Sequence, residues 1–409
     1  MEFDIFFSIS QTPVNGHTPS EAQMFASFFD QVVAADELGY GVAWVAESHF
    51  SSEVQKTHKK PVIPHWQGEV GLNTDILQLA TRVFARTRQI EVGSAVMNIL
   101  VNGGPVAAAE RIATFLGLHG LDPAERRRLH VGFAAGRFDF MARTTGVVPR
   151  NELEEVAWSV LKGKLFAEAA EIFLRLLAGE TLNSDRIRET QLTRRDFRTD
   201  EDWQRVRDAA GGPALDAIPI ERRFAFENVK IIPQELRREL LNLVIGSHEA
   251  QLQESVNRIC PVQIFNLSIT ASQIIDDTHR RMAGAYHREG GPWKRSYMPR
   301  TVMVFLNEEP GLPTEARRRA AHVEARAALG AYWTALEGTL DPTRVENAAE
   351  NALVGTAEDV AQQIVERFHP KDRLMLWFDF FNHDSPRVIR NMQAFMSKVR
   401  PLVEARLAS

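Results

Sequence analysis

The residues able to do chemistry gather just behind short apolar runs. Val42-Ala43-Trp44-Val45 is followed by Glu47, Ser48, His49 and Phe50, so a carboxylate, a hydroxyl and an imidazole stand side by side. An imidazole titrates near neutral pH, with an unperturbed pKa of about 6.5, which makes His49 the candidate acid or base. Ser48 can donate a hydrogen bond but cannot serve as a general base near neutrality. Glu47 can orient His49, and the two read equally well as a structural pair in which each only holds the other.

Two further turns suit an anion. Gly246-Ser247 follows the run Leu241–Ile245. Glycine allows close backbone approach, serine supplies a hydroxyl, and a helix starting near Glu249 would present free N–H groups and a positive dipole end. Without a ligand the same turn is a helix N-cap. Gly136-Arg137 follows Leu129–Phe133, and a guanidinium there can pair with phosphate oxygens or, alternatively, with Asp139 at the surface. Met97 and Asn98 follow Ile90–Val96, and Asp379 stands among Trp377, Phe378, Phe380 and Phe381. Those side chains read either as walls of an apolar pocket or as packed core.

The elements around these residues repeat one pattern. Phe3–Ile9 reads as a strand. After a polar stretch, Phe25, Phe28, Phe29, Val32, Val33 and Leu38 recur at helical spacing, with Ser20 as N-cap and Gly39 as the stop. Val42–Val45 is continuously apolar, as in a parallel strand covered on both faces. Helices over about 75–87 and 106–116 alternate with strands over Ile90–Val96 and Leu129–Phe133. Further strand-like runs are Val229–Ile232, Leu241–Ile245, Val262–Ile269, Thr301–Leu306 and Leu374–Phe378. Repeated β-then-α units near eight in number predict an α/β fold, a (β/α)8 TIM barrel, whose reactive groups stand at the C-terminal strand ends. We expect one domain over 1–409, with a helix over Glu152–Leu177 and charged helical insertions at about 150–225 and 308–355.

Bulk properties narrow the function. With 44% hydrophobic and 25% charged residues the chain of 409 residues can bury a large core. A net charge of −5 with interspersed signs argues against nucleic acid or an anionic membrane as partner. Cys260 is the only cysteine, so no intramolecular disulfide or thiolate cluster can form, and we read it as a packing residue. The first ten residues lack a basic leader and no apolar stretch is long enough to span a bilayer, so we expect a cytoplasmic protein. The histidines show no metal-ligand spacing, and no nucleophile elbow, P-loop or nicotinamide-binding G-x-G-x-x-G is found, so we expect no metal.

Gly39-Tyr40 with Val42 to Phe50 resembles a strand-two signature of the bacterial luciferase-like flavin-dependent monooxygenases and oxidoreductases. Further similarity lies at Val92 to Val96, at Pro105 with Ala109-Glu110-Arg111, and at Leu129 to Gly136. It continues at Phe226 to Lys230, at Leu243 to Ser247, and at Gly355-Thr356 with Glu358 to Ala361, in family order over nearly the whole chain. The resemblance implies a luciferase-like barrel that binds reduced flavin mononucleotide (FMN), or in one branch a deazaflavin, usually as a dimer. It implies that a separate flavin reductase delivers the reduced flavin, and that oxygen and a small aldehyde, ketone, alkyl or amine substrate then react. It places the flavin against Glu47, Ala95, Val96, Asn98, Gly136, Arg137, Gly246 and Ser247, with Ser48 and His49 at the reacting centre. Ala95-Val96 matches a position where the family often carries a non-prolyl cis peptide. The chain departs from luciferases at two points. Ser48 replaces the first of two adjacent histidines, and Ala134-Ala135 replaces a Cys-Arg pair, with Arg137 now after the glycine. The deazaflavin branch leaves a second reading, a deazaflavin-dependent dehydrogenase or reductase on the same barrel, and the first departure keeps open a third, a flavin-binding subunit without turnover.

Overall fold

Side-chain alternation sorts each strand into a face toward the helices and a face toward a common axis. In β1 (Glu2–Phe7), Phe3, Ile5 and Phe7 join the large cluster shared with the helices, whereas Phe6 packs inward with Trp44 and Met375. In β2 (Val42–Val45) all four residues are buried, Ala43 and Val45 outward and Val42 and Trp44 inward. This is why the run is apolar without interruption.

Seven more strands complete the sheet: β3 (Glu91–Asn98), β4 (Leu129–Ala134), β5 (Leu241–Ile245), β6 (Gln263–Ile264), β7 (Arg300–Leu306), β8 (Leu353–Gly355) and β9 (Arg373–Trp377). The structure is a computed structural model that describes residues 1–57, 63–101, 103–136, 139–212, 215–337 and 342–408. The strands are all parallel, in the order β8-β7-β9-β1-β2-β3-β4-β5-β6. Asn266, just past β6, closes the ring on β7: its N–H donates to Pro299 O (2.9 Å) and its carbonyl accepts from Thr301 N (3.1 Å). Eight strands thus form a (β/α)8 barrel, with β8 alongside Val304–Leu306.

Helix boundaries follow local chemistry. Ser20 and Gln23 form a reciprocal capping box before Glu21–Leu38, and Gly39 ends that helix at φ 81°, a conformation side chains with a Cβ resist. Asp75 caps Ile76–Phe84 and Asn151 caps Glu152–Leu177. The long helix packs Phe166 and Phe173 against Phe133 of β4. Beyond it, Gln191–Thr193 pairs antiparallel with Ala217–Pro219, flanking the helix Asp200–Ala209. After β7, Thr314–Glu337 and Pro342–Glu350 form an excursion with its own small core, including Phe305, Ala325, Leu329 and Phe380.

One expected strand is absent. Val229–Ile232 makes only a single bridge, Val229 to Leu182, and belongs to a loop that buries Ile231 and leaves Ile232 exposed. Four apolar residues suffice to mimic a strand, and nothing in their spacing distinguishes a loop that tucks one of them inward.

The N-terminal floor of the barrel is sealed by ionic networks. Asp4 accepts from Val42 N (3.0 Å), Trp44 Nε1 (2.7 Å), and Arg373 Nε and Nη2 (2.6 and 3.1 Å). Next to it, Glu91 accepts from Arg128 Nε (2.9 Å) and His130 Nε2 (2.6 Å), and His130 Nδ1 lies 3.3 Å from Asn242 Nδ2. Burial pushes His130 below its ordinary pKa, and the neutral tautomer with the proton on Nε2 satisfies both neighbours. Burial also acts to raise Glu91, but His130 and Arg128 outweigh it and hold the carboxyl at about 2.

Candidate active site

The opposite end of the barrel is built differently. Where β2 ends, the chain is pinned by Asn73, whose side chain donates to Ala46 O (3.0 Å) and whose carbonyl accepts from Ser48 N (3.0 Å). Glu47 and His49 are buried together, with Glu47 Oε1 at 3.0 Å from His49 Nε2 and their side chains 3% and 5% exposed. The ionised form of Glu47 only accepts, and it pairs with the His49 tautomer that carries its proton on Nε2. Glu47 Oε1 also accepts from Asn98 N at 3.4 Å, which joins the ends of β2 and β3. Burial pushes the Glu47 carboxyl above its ordinary value, while the His49 and Asn98 hydrogen bonds pull it back in part. A recess of about 250 Å³ adjoins this pair, lined by Glu47, Asp75, Met97, Asn98 and Arg111, among others. Asp75 and Arg111 are bonded to each other there.

In β3 the peptide Ala95-Val96 is cis, and the register with β4 shifts between Ser94 and Met97. Ala95 and Val96 pack against the inward cluster. Glycine at 132 is required beside them, since a Cβ would stand 2.2 Å from Ser94 O and 2.8 Å from Val96 Cγ1. Gly136, at φ 74°, lies against Asn98: a Cβ would be 2.2 Å from Asn98 Nδ2. Asn98 uses Oδ1 to accept from Leu100 N (3.0 Å), but its buried Nδ2 has no hydrogen-bond partner among the described residues.

Gln263 Oε1, Trp377 Nε1 and Asp379 Oδ1, also near this mouth, are buried without a well-formed hydrogen bond among the described residues. Gln263 is in register with Val244, a member of the inward cluster, so its side chain shares that inner face. Asp379 follows β9. Burial pushes its carboxyl up to about 7, against the hydrogen bond from Ser8 N–H and the proximity of the Trp377 indole, which forms no well-aligned bond to it. The residue as a whole is partly exposed, but Oδ1 is sealed from solvent. A second recess, of about 290 Å³, is lined by Ile9, Gln31, Asp379, Asn382 and His383 with their neighbours.

The sequence-derived residues divide accordingly. Glu47, His49, Ala95, Val96, Asn98 and Gly136 form one contiguous set, with Gly246 3.5 Å from Val96 by the same Cβ measure. Ser48 is buried beside them, 6% exposed. Ser247 is already engaged: its hydroxyl accepts from Glu249 N (3.3 Å) and its carbonyl from Gln253 Nε2 (2.6 Å). The Gly246 N–H donates to Phe133 O (2.8 Å), and the following helix, Ala250–Val256, is only seven residues long. Arg137 lies outside the described residues. Gln263 carried no sequence signal, because its neighbours read as a plain apolar strand. Cys260 is half-buried, and burial pushes its thiol up to about 12, as befits a packing residue.

An amide donor on β3 and an amide acceptor on β6 are groups that could pair the polar edge of a flavin ring, and Gly136 makes room for the first of them. Unpaired polar groups inside a fold cost about 1–3 kcal/mol each, so four at one mouth point to a ligand that pairs them. The chain belongs to the luciferase-like monooxygenase family, whose sequence profile matches residues 1–214. No curated protein matches it in sequence. Among solved structures it is similar to the monooxygenase RslO1 from Streptomyces bottropensis, with 17% identity, TM-score 0.66, and 98% and 99% of the two chains covered. The oxygenating constituent of 3,6-diketocamphane monooxygenase from Pseudomonas putida, solved with FMN, is 14% identical at TM-score 0.57, with 98% of each chain covered. An F420-dependent secondary alcohol dehydrogenase is 14% identical at TM-score 0.55, again over 98% of each chain. At these identities the likeness is one of fold. No helix among the described residues is long and apolar enough to cross a membrane.

Proposed function

We propose that the protein is a flavin-dependent monooxygenase that uses reduced FMN and O2 to oxidise a small organic substrate. The observation that carries this is the pair of unpartnered amides, Asn98 Nδ2 and Gln263 Oε1, on the inner face around the cis Ala95-Val96 peptide. Bound reduced flavin would supply the electrons that activate oxygen, chemistry that side chains cannot perform. Asn98 and Gln263 would hold the ring edge, Ala95 and Val96 would support its face, and Gly136 leaves room for Asn98 to do so. Gly246, Ser247 and Arg137 are assigned the phosphate; Ser247 retains its hydroxyl hydrogen for donation while accepting from Glu249 N.

His49, oriented by Glu47, moves a proton through Nδ1, and Ser48 donates a hydrogen bond at the reacting centre. The inward aromatic cluster excludes water. A separate reductase supplies the flavin, since the chain has no nicotinamide-binding fingerprint. The same reading includes a homodimer and a cytoplasmic setting.

The test is an anaerobic titration with reduced FMN, oxidised FMN and a deazaflavin, followed by absorbance and fluorescence. We expect reduced FMN to bind at least about tenfold more tightly than the other two, a difference of about 1.4 kcal/mol. Preference for the deazaflavin would replace oxygenation by hydride transfer, and binding of none would overturn the flavin assignment. Ser247→Ala and Arg137→Ala together leaving affinity within about twofold would remove the phosphate placement. Full turnover by His49→Ala would remove its role.

A further inference from the structure

Strand alternation puts Glu47 on the side of the helices. Val45 packs outward, Ala46 lies against the inward cluster with its N–H still bonded to Phe7 O (2.9 Å), and Glu47 turns outward again. The recess it lines is walled accordingly by Ala108 and Arg111 of the helix Gly104–His119 and by Asp75, the N-cap of Ile76–Phe84. Of its other lining residues Met97 and Val101 are buried and Thr74 is exposed, so the recess leads from the Glu47 carboxyl to the outer surface.

The carboxylates at the two ends of this route are used differently. Glu47 Oε1 makes both hydrogen bonds of its side chain, with His49 Nε2 (3.0 Å) and Asn98 N (3.4 Å), which leaves Oε2 for the recess. Asp75 is fully engaged: Oδ1 accepts from Leu77 N (3.0 Å) and Gln78 N (3.3 Å), and Oδ2 from Gln78 Nε2 (3.1 Å) and Arg111 Nη2. Arg111, partly exposed, is held by that bond across the outer side. The charged groups around Glu47 are therefore His49 from its own strand end, Asp75 from one helix and Arg111 from the other. A water here meets Glu47 Oε2, the Thr74 hydroxyl and the Asp75–Arg111 pair, within the about two to four polar partners that a held water needs. Burial raises the Glu47 carboxyl above its ordinary value and the charge of Asp75 adds to the rise, so its acid form is within reach.

We propose that Glu47 is a proton relay, passing protons between His49 and water in this recess by a route on the helix side of the barrel that does not use the mouth. Outward, the N–H bond at Nε2 of a protonated His49 breaks and its proton goes to the carboxylate, which leaves a neutral ring and a neutral acid. Water in the recess then takes that proton to solvent and restores the carboxylate. Inward transfer is the reverse. The Asp75–Arg111 pair gates the water, and His49 is reset while a ligand fills the mouth. Use of the relay in turnover rests on the flavin-dependent reading above; the exchange itself does not.

The experiment is an NMR measurement of solvent exchange at the His49 Nε2 proton, in the full chain with labelled histidine rings and without flavin. His130 Nε2–H, buried at the floor against Glu91 (2.6 Å), is the internal reference. Glu47→Gln, whose amide oxygen still accepts from His49 but takes up no proton, should slow His49 exchange at least about tenfold. Ala108→Leu, which fills the recess without touching a charge, should slow it at least about threefold, and Arg111→Ala, which opens the outer side, should speed it by about as much. The His130 rate should stay within about twofold throughout, which a general loosening of the fold would not allow. Unchanged His49 exchange in Glu47→Gln, or equal changes at His49 and His130, would overturn the proposal. Should Ala108→Leu fail to fold, an unchanged rate in Arg111→Ala would overturn it equally. With reduced FMN added anaerobically, His49 exchange should stay within about twofold of its rate in the free protein. Exchange that stops as the flavin binds would mean that protons come through the mouth, and would overturn the route. The variant effects without flavin binding would sink the flavin reading and leave the relay; flavin binding without the variant effects would do the reverse.

Discussion

The two ends of the barrel use polar residues for opposite ends. At the floor, Asp4 receives four hydrogen bonds and Glu91 is held by Arg128 and His130, so each carboxylate is paired within the chain. At the mouth, Asn98 Nδ2, Gln263 Oε1, Trp377 Nε1 and Asp379 Oδ1 are buried and form no hydrogen bond among the described residues. Charges paired at the floor lock neighbouring strands in register, whereas polar atoms left unpaired at the mouth are a store of binding energy for whatever enters. Conserving the scaffold and changing the chemistry are thus tasks of different strand ends.

The largest expected effect breaks the floor. Asp4→Ala leaves the buried Arg373 with only the exposed Glu2 at 3.5 Å and frees Trp44 Nε1, so we expect a loss of about 3 kcal/mol in chemical denaturation. Flavin affinity of the folded fraction should not change.

The next effect is pH-dependent. Glu91 is held at about 2, below its ordinary 4.5, so its contribution is present above pH 4.5 and is lost as pH falls from 4.5 toward 2. Glu91→Gln should therefore cost about 1.5–3 kcal/mol at pH 6, the range for hydrogen bonds to charged groups, and little at pH 2. An equal cost at both pH values would show that the carboxylate charge is not what matters.

Asn98→Ala should do the reverse of Asp4→Ala, weakening reduced FMN by at least about tenfold while changing stability by less than about 1 kcal/mol. A large stability loss with unchanged flavin affinity would erase the contrast between the two ends.

The smallest effect has the opposite sign from Glu91. Burial raises Asp379 from 3.8 to about 7, so the folded state holds an extra proton between those values, and stability falls as pH rises through that window. Asp379→Asn should raise the thermal midpoint by about 1–2 °C at pH 8 and leave it unchanged at pH 3. A lowered midpoint at pH 8 would mean that the carboxylate is paired after all.

Legibility in the sequence follows the same division. The helix Glu152–Leu177 was readable from its apolar period alone, and the structure adds the Asn151 cap that starts it. Strands β2 and β4 were readable because parallel strands are apolar on both faces. Val229–Ile232 misled because a short apolar run carries no period. At the mouth, Glu47, His49 and Asn98 were found by position behind strands and by family resemblance, which also pointed to the cis Ala95-Val96 peptide. That Asp379 and Gln263 are unpaired was not readable, since desolvation arises only when distant strands close around a side chain.

The most direct test of the claim that the unpaired atoms at the mouth await a flavin is a crystal structure of the protein grown with FMN. We expect the ring inside the C-terminal mouth, with Asn98 Nδ2 and Gln263 Oε1 each within hydrogen-bond distance of its polar edge. A flavin bound elsewhere on the barrel, or in the mouth with both amides still unpaired, would contradict that claim.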